Sequence, residues 1–302
     1  MSDSNKKLIN RLDATLISKL NSLELKAKTV VEGFKVGLHR SPYHGFSVEF
    51  SEHKAYMQGD PIKNIDWKVF GKSDKLFIKQ YEEETNLTCH ILLDISASMN
   101  YKSIGIISKL DYGKILAASL SYLMISQQDS IGLSLYSNTI ENYFPPRSNK
   151  IYLQTLLHGL ENVSSTNKTE TAQCLNLIAE RIKKRGLVII ISDFFDNVDS
   201  IITALKHFKY KKNEVIVFQI LDPIEKSFAF DRDAIFVDIE TKDELSTQPH
   251  QIKKAYQSAM NDFLGKLKSE CLNNKIEYNQ IDTNTPFDKA LFAYFKKRTR
   301  LN

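Results

Sequence analysis

The chain has few of the features that announce a function at first sight. Its three cysteines in 302 residues, Cys89, Cys174 and Cys271, are odd in number and widely spaced. No Cys-x-x-Cys pair and no Cys/His finger occurs, which argues against structural zinc and against a disulfide framework. Cys89 lies inside an apolar stretch and reads as a small core residue. No run of about 18 apolar residues exists, so no helical membrane span is expected. The N-terminal Ser2-Asp3-Ser4-Asn5-Lys6-Lys7 leads into a charged amphipathic stretch and not into an apolar signal segment. The expected location is cytoplasmic. Internal repeats and low-complexity segments are missing. So are the phosphate-cradling Gly-x-x-x-x-Gly-Lys loop, His-Glu-x-x-His and Gly-x-Ser-x-Gly.

Charge of one sign is also scarce. The net +5 is mild, and it is carried partly by the N-terminal region and by Lys296-Lys297-Arg298 with Arg300. A nucleic-acid-binding chain would show a denser basic face with interleaved aromatics, so no nucleic-acid partner is expected. With 42% hydrophobic and 25% charged residues, the composition is that of a globular protein with a sizeable core.

Three segments are distinguishable. Residues 1–45 form an N-terminal helical segment, with Leu8, Leu12, Leu16, Leu20, Leu23 and Val30 at helical spacing, followed by a loop expected from Gly33 to Gly45. Residues 46–86 are richer in aromatic and β-branched residues, in short runs separated by Gly59-Asp60-Pro61 and Gly71-Lys72-Ser73-Asp74. They predict a small antiparallel β unit. From residue 87 to 302, near-continuous apolar strands alternate with amphipathic helices. The strands are Leu87–Asp94, Ser130–Tyr136, Leu187–Ser192, Glu214–Leu221 and Ile276–Ile281. A hairpin partner at Ile140–Phe144 and a short β insertion near 224–248 interrupt the alternation. That pattern predicts an α/β fold: a mainly parallel, doubly wound sheet with helices on both faces. Sites in such sheets form beyond the carboxyl ends of the strands, at a switch in strand order.

One stretch stands at such an end. Ile91-Leu92-Leu93-Asp94-Ile95-Ser96-Ala97-Ser98-Met99 runs from an apolar strand into Asp-x-Ser-x-Ser, which places one carboxylate and two hydroxyls on a short loop. Hard oxygen donors of this kind suit Mg²⁺ or Mn²⁺. Asp and Ser after a strand also serve as helix N-caps. Asp193, about a hundred residues on, ends the most apolar strand in the same way. Between them, Ser165-Thr166-Asn167-Lys168-Thr169-Glu170-Thr171 offers a further hydroxyl, with Thr169 as the expected ligand and Thr171 as its substitute. Neutral hydroxyls leave much of the ion's charge uncompensated, so an open position would attract a partner's carboxylate.

This constellation resembles the metal-ion-dependent adhesion site of von Willebrand factor type A domains. The resemblance implies Asp94, Ser96 and Ser98 on the first loop, Thr169 on the second and Asp193 on the third. Many such domains carry Thr-Asp-Gly on the third loop, where this chain has Ser192-Asp193-Phe194. The preceding Lys54-Ala55-Tyr56-Met57-Gln58-Gly59-Asp60 and Asn64-Ile65-Asp66-Trp67 resemble the family called "domain of unknown function 58". Lys54 and Lys63 stand where that family usually has arginine. Tyr56, Gly59, Asp60, Asp66 and Trp67 match its motif, either as an architectural tie or as a docking surface. The resemblance implies a non-enzymatic adaptor working with a MoxR-type AAA+ ATPase. The alternative is a metal-dependent hydrolase of phosphate esters using the same acidic loops.

Overall fold

The structure is a computed structural model, and it describes residues 13–39, 54–55, 71, 76–78, 87–103, 107–163, 170–230, 234–237 and 244–298. The chain divides into two units, Met1–Val36 with Leu87–Asn302, and Gly37–Asn86. Among the described residues, helices α1 (Ala14–Ser18) and α2 (Leu23–His39) come first. Asp13 caps α1 by accepting from Thr15 N at 2.8 Å. The expected loop from Gly33 is still helix as far as His39. Ala27, Val30, Val31 and Phe34 are buried, and the Phe34 ring lies 5.0 Å from that of Phe295. Tertiary burial outweighs the cost of about 1 kcal/mol for a glycine within the helix. In the smaller unit, β1 (Lys54–Ala55) and β2 (Phe77–Ile78) pair antiparallel.

The main sheet begins with β3 (Thr88–Asp94), followed by helix α3 (Lys109–Ser126), β4 (Ser130–Tyr136) and β5 (Ile140–Arg147). Next come α4 (Lys150–Glu161), α5 (Thr171–Arg181), β6 (Leu187–Ser192), α6 (Val198–Tyr210) and β7 (Glu214–Leu221). A short helix α7 (Pro223–Ser227) leads into the antiparallel hairpin β8 (Ala234–Val237) and β9 (Glu244–Thr247). The long helix α8 (Pro249–Asn273), strand β10 (Glu277–Asp282) and helix α9 (Phe287–Arg298) complete the order.

The six strands lie in the order β10-β7-β6-β3-β4-β5. All neighbours are parallel except β4 and β5. Pro145 and Pro146 sit in β5, an edge strand, where a missing N–H donor is tolerated. Alternation along the central strands divides the core. Leu92 pairs in register with Ile190, and both belong to the cluster formed with Cys174, Leu175 and Ile178 of α5, Ile201, Leu205 and Phe208 of α6, and Leu267 of α8. Leu93 and Ile191 point to the other face, where α3 packs so closely that a Cβ on Gly113 would meet Leu93 Cδ1 at 2.8 Å. Each large apolar side chain so buried contributes roughly 1.5–3 kcal/mol.

From β3 the chain steps one way to β4, then returns to the other side of β3 with β6. The strand order therefore reverses between β3 and β6, where a crevice opens at the carboxyl ends. Asp94 ends β3, and Asp193 follows β6 directly.

Candidate functional site

Leaving the sheet, β3 turns at once. Ile95 N donates to Tyr136 O at 2.8 Å, and Ser96 N donates to Asp94 Oδ1 at 2.9 Å, an Asx turn that needs a short acidic side chain. A 3₁₀ turn over Ala97–Asn100 follows, and buried Met99 anchors it. This folds the loop back so that the Ser96 and Ser98 hydroxyls stand 3.1 Å apart. Asp94 and Ser96 are fully buried.

The third loop is tied to the first. Ser192 Oγ donates to Asp94 Oδ2 at 2.7 Å and accepts from Phe194 N at 2.8 Å. Phe194 is fully buried and has φ 59°, the left-handed region that favours glycine. It stands at the place of the glycine in the Thr-Asp-Gly of many type A domains. Here the buried ring offsets the backbone cost of roughly 1–2 kcal/mol. Asp193 O accepts from Gln219 Nε2 at 2.8 Å, and Asp193 Oδ1 accepts from Phe195 N at 3.2 Å.

Burial raises the Asp94 carboxyl to about 7, with the charge of Asp193 adding to the rise and hydrogen bonds from Ser192 and Ser96 opposing it. The two acids are thus close enough to feel each other electrostatically. The same environment pushes the Cys174 thiol up to about 11, by burial first and by Asp94 second.

The second loop contributes through the start of α5. Glu170 N donates to Ser137 O at 3.3 Å. Ser137 immediately follows Tyr136, the register partner of Asp94, so the helix begins at the same end of the sheet. Thr171 is fully buried, and its Oγ1 has no hydrogen-bond partner. A hydroxyl left in that state costs roughly 1–3 kcal/mol. Thr169, Tyr56, Gly59, Asp60, Asp66 and Trp67 lie outside the described residues.

A residue not singled out from the sequence dominates the electrostatics. Lys109, the first residue of α3, is fully buried. Its Nζ donates to Asp193 Oδ2 at 2.8 Å and to Glu225 Oε1 at 2.6 Å. Burial works to lower its pKa, but Asp193 and Glu225 outweigh that and hold it above the ordinary lysine value. Glu225 in turn is raised, by burial first. Glu225 is placed by a capping box: Ile224 N donates to Asp222 Oδ1 at 2.9 Å, and Asp222 N donates to Glu225 Oε2 at 2.8 Å. Ser103 N donates to Asp222 Oδ2 at 2.8 Å, which fastens the first loop to β7 as well.

Both features carry a local signal. Asp222-Pro223-Ile224-Glu225 has the spacing of a capping box. A lysine at the first position of a helix opposes the macrodipole, which favours acids there, and such a conflict between levels points to a specific tertiary partner.

The donor set fits a hard cation in part. Asp94, Ser96, Ser98 and the partnerless Thr171 hydroxyl are oxygen donors at one strand end, whereas Asp193 is already paired with Lys109. Among the described residues, no group of three His, Cys, Asp or Glu side chains is placed to hold a metal ion. Any cation held here depends on hydroxyls.

Residues 52–263 match the family model described as "Protein of unknown function DUF58", and the chain belongs to that family. An uncharacterized protein of Mycobacterium tuberculosis (strain ATCC 25618 / H37Rv) is 22% identical over 234 residues, covering 76% of this chain and 72% of the relative. Among solved structures, the conserved hypothetical protein BatB from Bacteroides thetaiotaomicron is 19% identical, covering 71% of this chain and 99% of its own, with a TM-score of 0.48. The VWA domain of SpRpn10 is 11% identical, covering 68% of this chain and 94% of its own, with a TM-score of 0.41. Among the described residues, no helix is long and apolar enough to cross a membrane.

Proposed function

We propose that the chain is a non-enzymatic protein-interaction module of the cytoplasm. In this reading the strand-end crevice between β3 and β6 holds Mg²⁺ or Mn²⁺ and through it grips a carboxylate of a partner. The partner class implied by the family resemblance is a MoxR-type AAA+ ATPase. Asp94, Ser96 and Ser98 would hold the ion from the first loop, and Thr171 is the described candidate from the second. Asp193 would border the shell from the third.

The observation that carries the reading is the buried Thr171 Oγ1 without an internal partner, at the sheet end where Asp94, Ser96 and Ser98 gather. A bound cation would satisfy it. The divalent ion supplies a positive charge that hydroxyl donors leave largely uncompensated. The chain's own residues orient the site: Ser192 holds Asp94, and Gln219 holds the backbone of Asp193. The described strand-end loops carry no histidine to serve as a general base, and this favours docking over hydrolysis.

The test compares wild type with Asp94→Ala. Titration with Mn²⁺ and co-purification with the cognate AAA+ ATPase should both weaken in the folded variant. Unchanged binding of ion and partner would refute the reading. Hydrolysis of a phosphate-ester panel that disappears in the variant would replace it with an enzyme.

A further inference from the structure

Among the described residues, Lys109 is the only lysine or arginine buried from solvent, and its position makes that burial costly. It occupies the first turn of α3, where the exposed N–H groups already supply partial positive charge. Two carboxylates compensate it, Asp193 and Glu225, at 2.8 and 2.6 Å. Two rings flank it: the Nζ lies 4.8 Å from the centroid of Phe195 and 5.9 Å from that of Tyr101. The ammonium is enclosed.

This enclosure bears on the proposed metal site, on which the following inference rests. Both oxygens of Asp193 are engaged, one by Lys109 and one by Phe195 N. The hydroxyls of Ser96 and Ser98 lie 3.1 Å apart, that of Ser96 also bonds Asp94, and that of Thr171 is bonded to nothing. An ammonium on Asp193 repels a divalent ion and competes with it for the same carboxylate. Three carboxylates (Asp94, Asp193, Glu225) against one ammonium leave a net charge of −2 when all are ionised. That suits one divalent ion, provided the ion does not also need Asp193 as a direct ligand.

We propose that Lys109 is the resident cation of the crevice, a positioning residue that keeps Asp193 on the Glu225 side. A divalent ion is then held by Asp94, Ser96, Ser98 and Thr171 without direct ligation by Asp193. The consequence is a weak site that leaves the ion electrophilic towards a partner's carboxylate. A second consequence is structural: through Glu225, the third loop is tied to α7 and so to the root of the hairpin insertion.

Mn²⁺ affinity measured calorimetrically on the full chain tests this with Lys109→Met, Glu225→Gln and the double variant, each checked for folding by circular dichroism. Lys109→Met should bind Mn²⁺ about tenfold more tightly or better. The double variant keeps the wild-type net charge, so any gain there reports the release of Asp193 and not charge alone; a several-fold gain is expected. Glu225→Gln alone should not gain. If wild type binds Mn²⁺ in a way that depends on Asp94 and the double variant binds equally well, the role of Lys109 is overturned while the metal site stands. If wild type binds no Mn²⁺ at all, both readings fall. A measurement on wild type needs no variant to fold. The ¹⁵N signal of the Lys109 ammonium should persist at Mg²⁺ saturation, and its loss would overturn the proposal.

Discussion

The Ser192 hydroxyl donates to Asp94 Oδ2 across 98 residues of sequence, at 2.7 Å, and closes the third loop onto the first. Because Ser192 also accepts from Phe194 N, one side chain fixes both the acid and the left-handed turn beside it. A hydrogen bond to a charged group is worth roughly 1.5–3 kcal/mol. Ser192→Ala is therefore expected to lower stability by about 2 kcal/mol and to weaken Mn²⁺ binding. Chemical denaturation and calorimetry check the two effects separately.

Lys109 and Asp193 form a pair whose members depend on each other. Removing one partner of a buried ion pair costs roughly 3–5 kcal/mol, whereas replacing both by neutral groups costs far less. Lys109→Met, which leaves Asp193 and Glu225 both unpaired, should destabilise strongly; Asp193→Asn, which leaves Lys109 on Glu225, should cost less, and the double variant should lose less than the sum of the two. Urea denaturation of the four proteins measures the coupling directly, and strict additivity would refute it.

His90 provides a pH dependence away from the candidate ligands. It is buried in β3, and burial lowers its pKa from 6.5 to about 4. The folded protein thus resists protonation that the unfolded chain accepts. The His90 contribution to stability is full above pH 6.5 and is lost as the pH drops from there towards about 4, while the raised Asp94 carboxyl works in the opposite sense over the same interval. The loss is at most about 3.5 kcal/mol, because each pKa unit is worth about 1.4 kcal/mol. Against His90→Gln, the wild-type urea midpoint should therefore lose ground as the pH falls across the interval, and a constant difference would refute the assignment.

Gly186 opens β6 against the start of β3. A Cβ there would lie 2.2 Å from Thr88 O, and Gly186 N donates to Asn213 Oδ1 at 2.9 Å. No side-chain rotation relieves a clash with backbone. Gly186→Ala should therefore cost about 2 kcal/mol or more, seen as a fall in melting temperature. Because β6 delivers Ser192 and Asp193, it should weaken Mn²⁺ binding as well.

Much of the sheet was legible because its information is local. Ile131, Leu133 and Leu135, or Leu187 through Ile191, announce strands buried on both faces, and the strand boundaries expected at 130–136, 187–192 and 214–221 match those observed. The helix α7 escaped notice because five residues give no periodicity, although its capping box was written in Asp222 and Glu225. Helix α2 runs beyond its expected end because the burial of Phe34 is decided by contact with Phe295, which lies far away in the chain.

The candidate site divides in the same way. That Asp94, Ser96 and Ser98 leave an apolar strand together is readable in the chain alone, since Asp-x-Ser-x-Ser is a contiguous signal, and so is the place of Asp193 after another such strand. What each acid faces is set by packing. Parallel pairing of β3 with β6 brings Ser192 onto Asp94, and the packing of α3 across the sheet carries Lys109 to Asp193 and Glu225, 84 and 116 residues away. A charge interaction acts through distance in space and desolvation, neither of which leaves a periodic trace in the chain.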